Sequence, residues 1–249
     1  MNKEQKPGNR LPLFVGITAV LLLAYLTIYL PKDTFLSLSQ EDGIFEYLTA
    51  ALFLGASISF FVLFANARNF RQEEDRSVYS SYGRRYAFFI LGLVFFFGFG
   101  EEISWGQRIF GFATPEGLEA KNVQEEFNIH NLEIFNIKSK EGVRKEGLQT
   151  LFTMKQMFLA SFLGYLLIVP LFSRYVKRID KLLKQFYIPV PPLWLGVFFL
   201  GNYLGYRIIR GINPWELQWG LTEVQEFNFA VLLLLLPLTW MGLNKYARS

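Results

Sequence analysis

The sequence predicts an all-α fold: a polytopic membrane helix bundle of about six transmembrane helices, N-in and C-in, with short interfacial helices in an outer segment at 101–147. Three observations carry that expectation. The chain is 52% hydrophobic, 18% aromatic and only 18% charged, against about 25% charged in soluble domains, and its mean hydropathy is +0.25. Apolar runs recur near the roughly 20 residues that a helix needs to cross the hydrocarbon core. Basic residues cluster in alternate connections, as the positive-inside rule requires.

The apolar runs fall at 11–30, 44–65, 86–100, 148–172, 193–209 and 223–243. The first is long for a signal-peptide core and has no small-x-small site before Pro31, so it reads as an uncleaved span. The third is short unless residues beyond Gly100 continue it. Pro191 and Pro192 open the fifth run, where a helix tolerates proline, and Pro237 should kink the sixth. Together the runs make one membrane domain, 1–249, with 101–147 inserted between spans three and four. In that insertion 103–110 is apolar on one side, Thr114-Pro115-Glu116 fits a helix start capped by threonine, and 123–134 reads as a short helix. These pieces are expected along the outer membrane surface. Trp105, Trp215 and Trp219 suit interface anchors.

Orientation follows from Lys3, Lys6 and Arg10 at the N-terminus, Arg68, Arg71, Arg76, Arg84 and Arg85 after span two, and Arg174, Lys177, Arg178, Lys181 and Lys184 after span four. Lys245 and Arg248 complete the set. Both termini are therefore expected in the cytoplasm of a cell-membrane protein. The net charge of +4 is an orientation signal, so the expected partner is the lipid bilayer and not nucleic acid. Cysteine is absent, which removes disulfides, thiolate metal sites and a cysteine nucleophile.

The remaining ionisable residues gather at the outer level. Span two begins there with Glu41, Asp42 and Glu46, and span three ends there with Glu101 and Glu102. Lys155 lies about two turns into span four, Asn202, Arg207 and Arg210 close span five, and Glu223 and Glu226 open span six. The outer segment adds Arg108, Asn122, Glu126, His130 and Asn131. A charge at mid-bilayer costs at least about 2.5–3.5 kcal/mol, and such residues usually face the bundle interior and mark function. Glu101 and Glu102 are the sharpest case, because acids oppose the dipole at a helix C-terminus. Being adjacent, they point about 100° apart and cannot share one partner.

This pattern suggests an outward-facing site in which Glu101, Glu102 and His130 do acid/base chemistry on a lipid, lipid-linked or membrane-peptide substrate. Glu46, Arg108, Glu126, Asn131, Lys155, Asn202, Arg207, Glu223 and Glu226 would bind or support it. Arg108 and Arg207 serve equally as structural partners of carboxylates, and Lys155 most simply pairs with one. Glu126 and His130, four apart, have both ion-pair and metal-ligand spacing on a helix. A divalent metal would then be held mainly by carboxylates, with Glu102, Glu126 and His130 as its ligands. A non-enzymatic scaffold or sensor fits the same charges, and so does a transporter, although the chain shows no repeat.

Two resemblances bear on this. The string GEEISWGQRIFGF, followed by ATPEG and NVQEEFNIHNL and preceded by EDGIFEYLTA, resembles a pattern of uncharacterised bacterial multi-pass membrane proteins. It implies a bacterial inner membrane and attaches no activity. More loosely, the chain is similar to the CAAX-protease and bacteriocin-processing family of intramembrane glutamate proteases. That family carries Glu-Glu-x-x-x-Arg, then Phe-x-x-x-His, then a further His with Asn or Asp. Glu101-Glu102 match the first pair, Arg108 stands two places late, Phe127 and His130 stand one place too close, and there is one histidine. The similarity implies that Glu101 or Glu102 activates water while His130 assists.

Overall fold

In the computed structural model the described residues are 10–40, 42–67 and 78–246, with side chains described over 10–40, 42–67 and 83–241. Lys3, Lys6, Glu41, Arg68, Arg71, Arg76 and Arg248, and the side chain of Lys245, lie outside them. The described chain is helical, with no strand and two isolated bridges, Asn122 with Leu132 and Lys138 with Arg144.

Helix α1 spans Leu11–Leu26, α2 Lys32–Leu38, α3 Ile44–Asn66 and α4 Val78–Glu102. Five helical stretches are long and apolar enough to cross a membrane: Leu11–Tyr29, Ile44–Asn66, Gly83–Glu102, Met154–Tyr175 and Trp215–Met241. The expected sixth is not among them. Helix α10, Leu193–Ile212, has the length at 20 residues, but Asn202, Arg207, Arg210 and its glycines dilute its apolar character. Span three is longer than 86–100 and runs on to Glu102, so both glutamates belong to its last turn.

The last helix, α11 (Gln218–Tyr246), is the centre of the bundle. It buries Leu221, Val224, Phe229, Ala230, Leu232, Leu233 and Leu236, while α1 and α4 leave Leu22, Leu23, Ile90 and Leu93 exposed. Outward aliphatic side chains of this kind are what lipid accepts and water does not. Aromatic rings lock the interior: Phe60 stacks on Phe95 at 5.4 Å and Phe199 on Phe229 at 4.1 Å. Pro237 lies inside α11.

The expected span at 148–172 begins later. A 3-10 turn covers Gly147–Phe152, followed by α7, Met154–Leu163, a π-helical turn at Gly164–Ile168, and α8, Val169–Tyr175. Pro170 explains the wide turn: it has no N–H for the Leu166 carbonyl, and its ring would crowd that oxygen in a regular helix. Gly196 of α10 sits against the same carbonyl, where a Cβ would collide.

Between α1 and α3, α2 docks on the start of α11: Phe35 is buried and Gly220 leaves room for Phe35 and Ser39. Stretch 123–134 is not a helix but a chain of turns, with one short 3-10 piece at Glu133–Phe135. Its asparagines bond the local backbone and outcompete helical bonds, as the site geometry shows. Segment 101–147 keeps two single-turn α-helices, α5 (Gln107–Phe110) and α6 (Glu116–Glu119). Thr114 does not cap α6; Pro115 takes that position, and the Thr114 hydroxyl donates to the Glu125 carbonyl.

Candidate functional site

The site is organised by how α4 ends. Ser104, Trp105 and Gly106 have φ of 46, 52 and 81° in succession. L-residues with side chains rarely adopt this left-handed region, so the reversal must be held by contacts. Trp105 folds back along α4, where Gly100 leaves space (a Cβ would come within 2.8 Å of the indole), and packs edge-on against Phe97 at 5.7 Å. Its indole Nε1–H donates to Glu101 at 2.7 Å. Trp105 is therefore a hydrogen-bond donor into the site.

Glu101 is only 6% exposed and fully engaged. Besides the indole, it accepts the backbone N–H groups of Ile129 and His130, each at 2.7 Å, on Oε2. The same oxygen lies 3.3 Å from His130 Nδ1. The acid that opposes the helix dipole is thus compensated by N–H groups of a separate segment. The imidazole is partly exposed, at 37%.

A second group lies beside the first. Arg108 bonds to Asp42 and Glu126 and reaches Glu46 at 3.4 Å. Burial opposes the Arg108 charge, but the bonds to Asp42 and Glu126 and the attraction of Glu126 and Glu46 outweigh it, so its pKa is raised. The other oxygen of Glu126 accepts Asn128 Nδ2 at 2.7 Å and Ser104 Oγ at 2.9 Å. Buried Asn122 donates to the side chain and the carbonyl of Asn128, at 2.9 and 3.0 Å, and accepts from Gln124 N–H. Asn131 donates to Gln124, and Gln107 links Thr114 at 2.7 Å to the Phe127 N–H at 2.6 Å. The stretch from Asn122 to Asn131 is thereby tied to the turn after α4.

Glu102 faces elsewhere. It is partly buried and accepts no hydrogen bond among the described residues. Its charged neighbours are Glu226, Glu223, Glu46 and Glu101. Lys155 approaches Glu226 at 4.0 Å and the Tyr206 hydroxyl at 3.5 Å. Tyr206 in turn meets Thr222 at 3.0 Å and Arg210 at 2.7 Å.

The expected site residues fall into three groups instead of one. Glu101 with His130, Arg108 with Asp42, Glu46, Glu126 and Asn131, and Glu102 with Glu223, Glu226 and Lys155 form them. Two expected members stand apart. Arg207 is exposed and bonds Tyr203 at 3.2 Å. Asn202 is buried in the bundle, accepting from Tyr25 at 3.1 Å and Asn228 at 3.2 Å. Glu126 and His130 do not share a helix face, because no helix forms there. Nor do Glu102, Glu126 and His130 converge: no group of three or more His, Asp and Glu side chains able to hold a metal exists among the described residues. Physically, Arg108, Ser104 and Asn128 occupy Glu126, and His130 turns to Glu101.

Sequence reasoning missed Ser104, Gln107, Thr114 and Asn128 as members. The available signal was the density of asparagine and glutamine in NVQEEFNIHN, which favours side-chain bonding to turns over helix.

Next to Glu101 a pocket of ≈ 200 Å³ is lined by Trp105, Leu118, Phe127, Asn128 and Ile129. Its walls are almost entirely apolar, and two of its lining residues, Trp105 and Ile129, donate N–H groups to Glu101. Comparison of the chain with protein-family models, curated proteins and solved structures finds no match. The five apolar helices mark a membrane protein; its chemistry has to be argued from the site itself.

Proposed function

We propose that the chain spans the bacterial inner membrane six times, α10 included, with both termini cytoplasmic, and carries an outward-facing acid/base site for a lipid, lipid-linked or membrane-peptide substrate. The observation that supports this reading most is the Glu101–His130 pair beside an apolar pocket. A carboxylate on Nδ1 favours the tautomer that leaves Nε2 free as a base. Glu101 is then a positioning residue, and His130 is the group that moves the proton. In the hydrolytic form, Nε2 takes a proton from water as its oxygen bonds to an electrophilic carbon or phosphorus. The same proton then goes to the leaving group as that bond breaks. In the transferase form an acceptor hydroxyl replaces water. The pocket would seat an apolar part of the substrate.

A scaffold or sensor is the second reading. It is favoured by the saturation of Glu101 and Glu126, whose bonds all go to the protein's own groups.

The test is turnover by full-length protein in proteoliposomes containing total membrane lipid and peptide extract, in ¹⁸O-water, followed by mass spectrometry. The wild type is expected to generate new products, labelled if hydrolytic. His130→Gln should lose about 10²–10⁴-fold of that turnover, whereas Arg207→Gln, remote from the pair, should retain it. Equal product formation by His130→Gln would remove the acid/base role, and a wild type that turns nothing over would favour the scaffold.

A further inference from the structure

We propose that α9 (Lys177–Gln185) is a docking surface for anionic phospholipid headgroups, on the face of the bundle opposite the Glu101–His130 pair. Its sequence, KRIDKLLKQ, sorts two ways around one helix. Ile179, Leu182, Leu183 and the following Phe186 recur at i, i+3, i+4 and i+7, which makes an apolar stripe. Lys177, Lys181 and Lys184 recur at i, i+4 and i+7 on the other side, with Arg178 beside them. All four basic residues are exposed. Asp180 is the one acid of the helix and pairs with Lys184 at 2.9 Å.

The position of α9 distinguishes it from a solvated charge run. Helix α8 ends at Tyr175, and Val176 is extended, with φ −118° and ψ 94°, so the chain breaks direction on leaving the apolar stretch. After α9, Tyr187 packs against Gly83 at the start of the apolar part of α4. The Tyr165 hydroxyl donates to the Pro189 carbonyl at 2.7 Å. Helix α9 is thus held beside the end of α4 that is remote from Glu101.

Its apolar stripe is used only in part. Leu183 is buried at 8%, but Leu182 is 45% and Phe186 64% exposed. A short helix with basic residues on one side and unburied apolar residues on the other fits the headgroup–acyl boundary. A nucleic acid or acidic peptide would satisfy the charges and leave Leu182 and Phe186 in water. A bilayer satisfies both, and anionic headgroups attract juxtamembrane lysine and arginine.

The test titrates the purified full-length protein, in uncharged detergent, with phosphatidylglycerol, with phosphatidylcholine of the same acyl chains, or with inorganic phosphate. Thermal unfolding is the readout. Phosphatidylglycerol is expected to raise the melting temperature at concentrations where the other two have little effect. Its half-saturating concentration should increase roughly fivefold for each basic side chain removed, from Lys181→Gln alone to the combined Lys177→Gln, Arg178→Gln, Lys181→Gln, Lys184→Gln protein. The single variant decides the matter if the combined one does not fold. Equal shifts from the two lipids, a phosphate effect matching that of phosphatidylglycerol, or an unchanged half-saturation in a folded variant would each overturn the proposal.

Discussion

Glu101→Ala should be among the most damaging single changes in the cap that segment 101–147 forms over the end of α4. The carboxylate accepts the indole N–H of Trp105 and the backbone N–H groups of Ile129 and His130. Removing it leaves those donors without their acceptor in a site that is mostly closed to water. At about 1–3 kcal/mol for each unsatisfied buried donor, the loss is about 3–5 kcal/mol once some water enters. Glu101→Gln should recover only part of it, since the amide keeps one acceptor oxygen and presents N–H to a donor that the other carboxylate oxygen had accepted. Thermal unfolding in detergent measures the loss. Hydrogen exchange locates it: the amides of Ile129 and His130 should lose protection in both variants while the interior of α11 keeps its own. Uniform exchange, or an unfolding temperature like that of the wild type, would show that the cap does not depend on this carboxylate.

Arg108→Met is the second large effect, and it acts by leaving charges behind. The guanidinium meets Asp42, Glu46 and Glu126, of which Glu46 and Glu126 are mostly buried, at 17 and 14% exposure. Breaking a buried pair by removing one partner costs about 3–5 kcal/mol. Asp42, 47% exposed, contributes little to that figure because solvent screens it. Arg108→Lys should restore only part of the stability, since an ammonium cannot reproduce the planar fork that serves several carboxylates at once. Adding Glu126→Gln to Arg108→Met should recover stability if the penalty is the orphaned charge. Unfolding measurements on the single and double variants close that cycle, and strict additivity would contradict the clamp.

The helical spans were legible in the sequence for a plain physical reason. A chain that crosses hydrocarbon must carry about 20 apolar residues in one helix, and such runs cannot hide. Helix α10, more polar than those five, is legible as a helix by its length and its Pro191-Pro192 start. That Glu46, Glu101, Glu102 and Glu226 come near one another was also readable, because acids and bases next to apolar runs are few. The division of labour between Glu101 and Glu102 was half legible. Adjacent residues on a helix must diverge, but which one meets His130 depends on three successive left-handed residues after Ile103. Nothing in the hydrophobic pattern encodes that reversal. The sequence misleads where polar side chains bond the backbone: 123–134 has helical spacing, yet Asn122 and Asn128 hold it in turns. The metal reading of Glu126 and His130 depended on that helix and has no support without it. Helix α2 escaped notice because its docking depends on Gly220, far along the chain.

The central claim is that Glu101 positions His130 so that Nε2 is available. The chain contains a single histidine, so protein labelled with ¹⁵N-histidine yields one imidazole in the NMR spectrum. At a pH where the ring is neutral, the account predicts a proton on Nδ1 and an unprotonated Nε2, with that preference lost in Glu101→Gln. A ring protonated on Nε2 in the wild type, or a tautomer indifferent to Glu101→Gln, would contradict it.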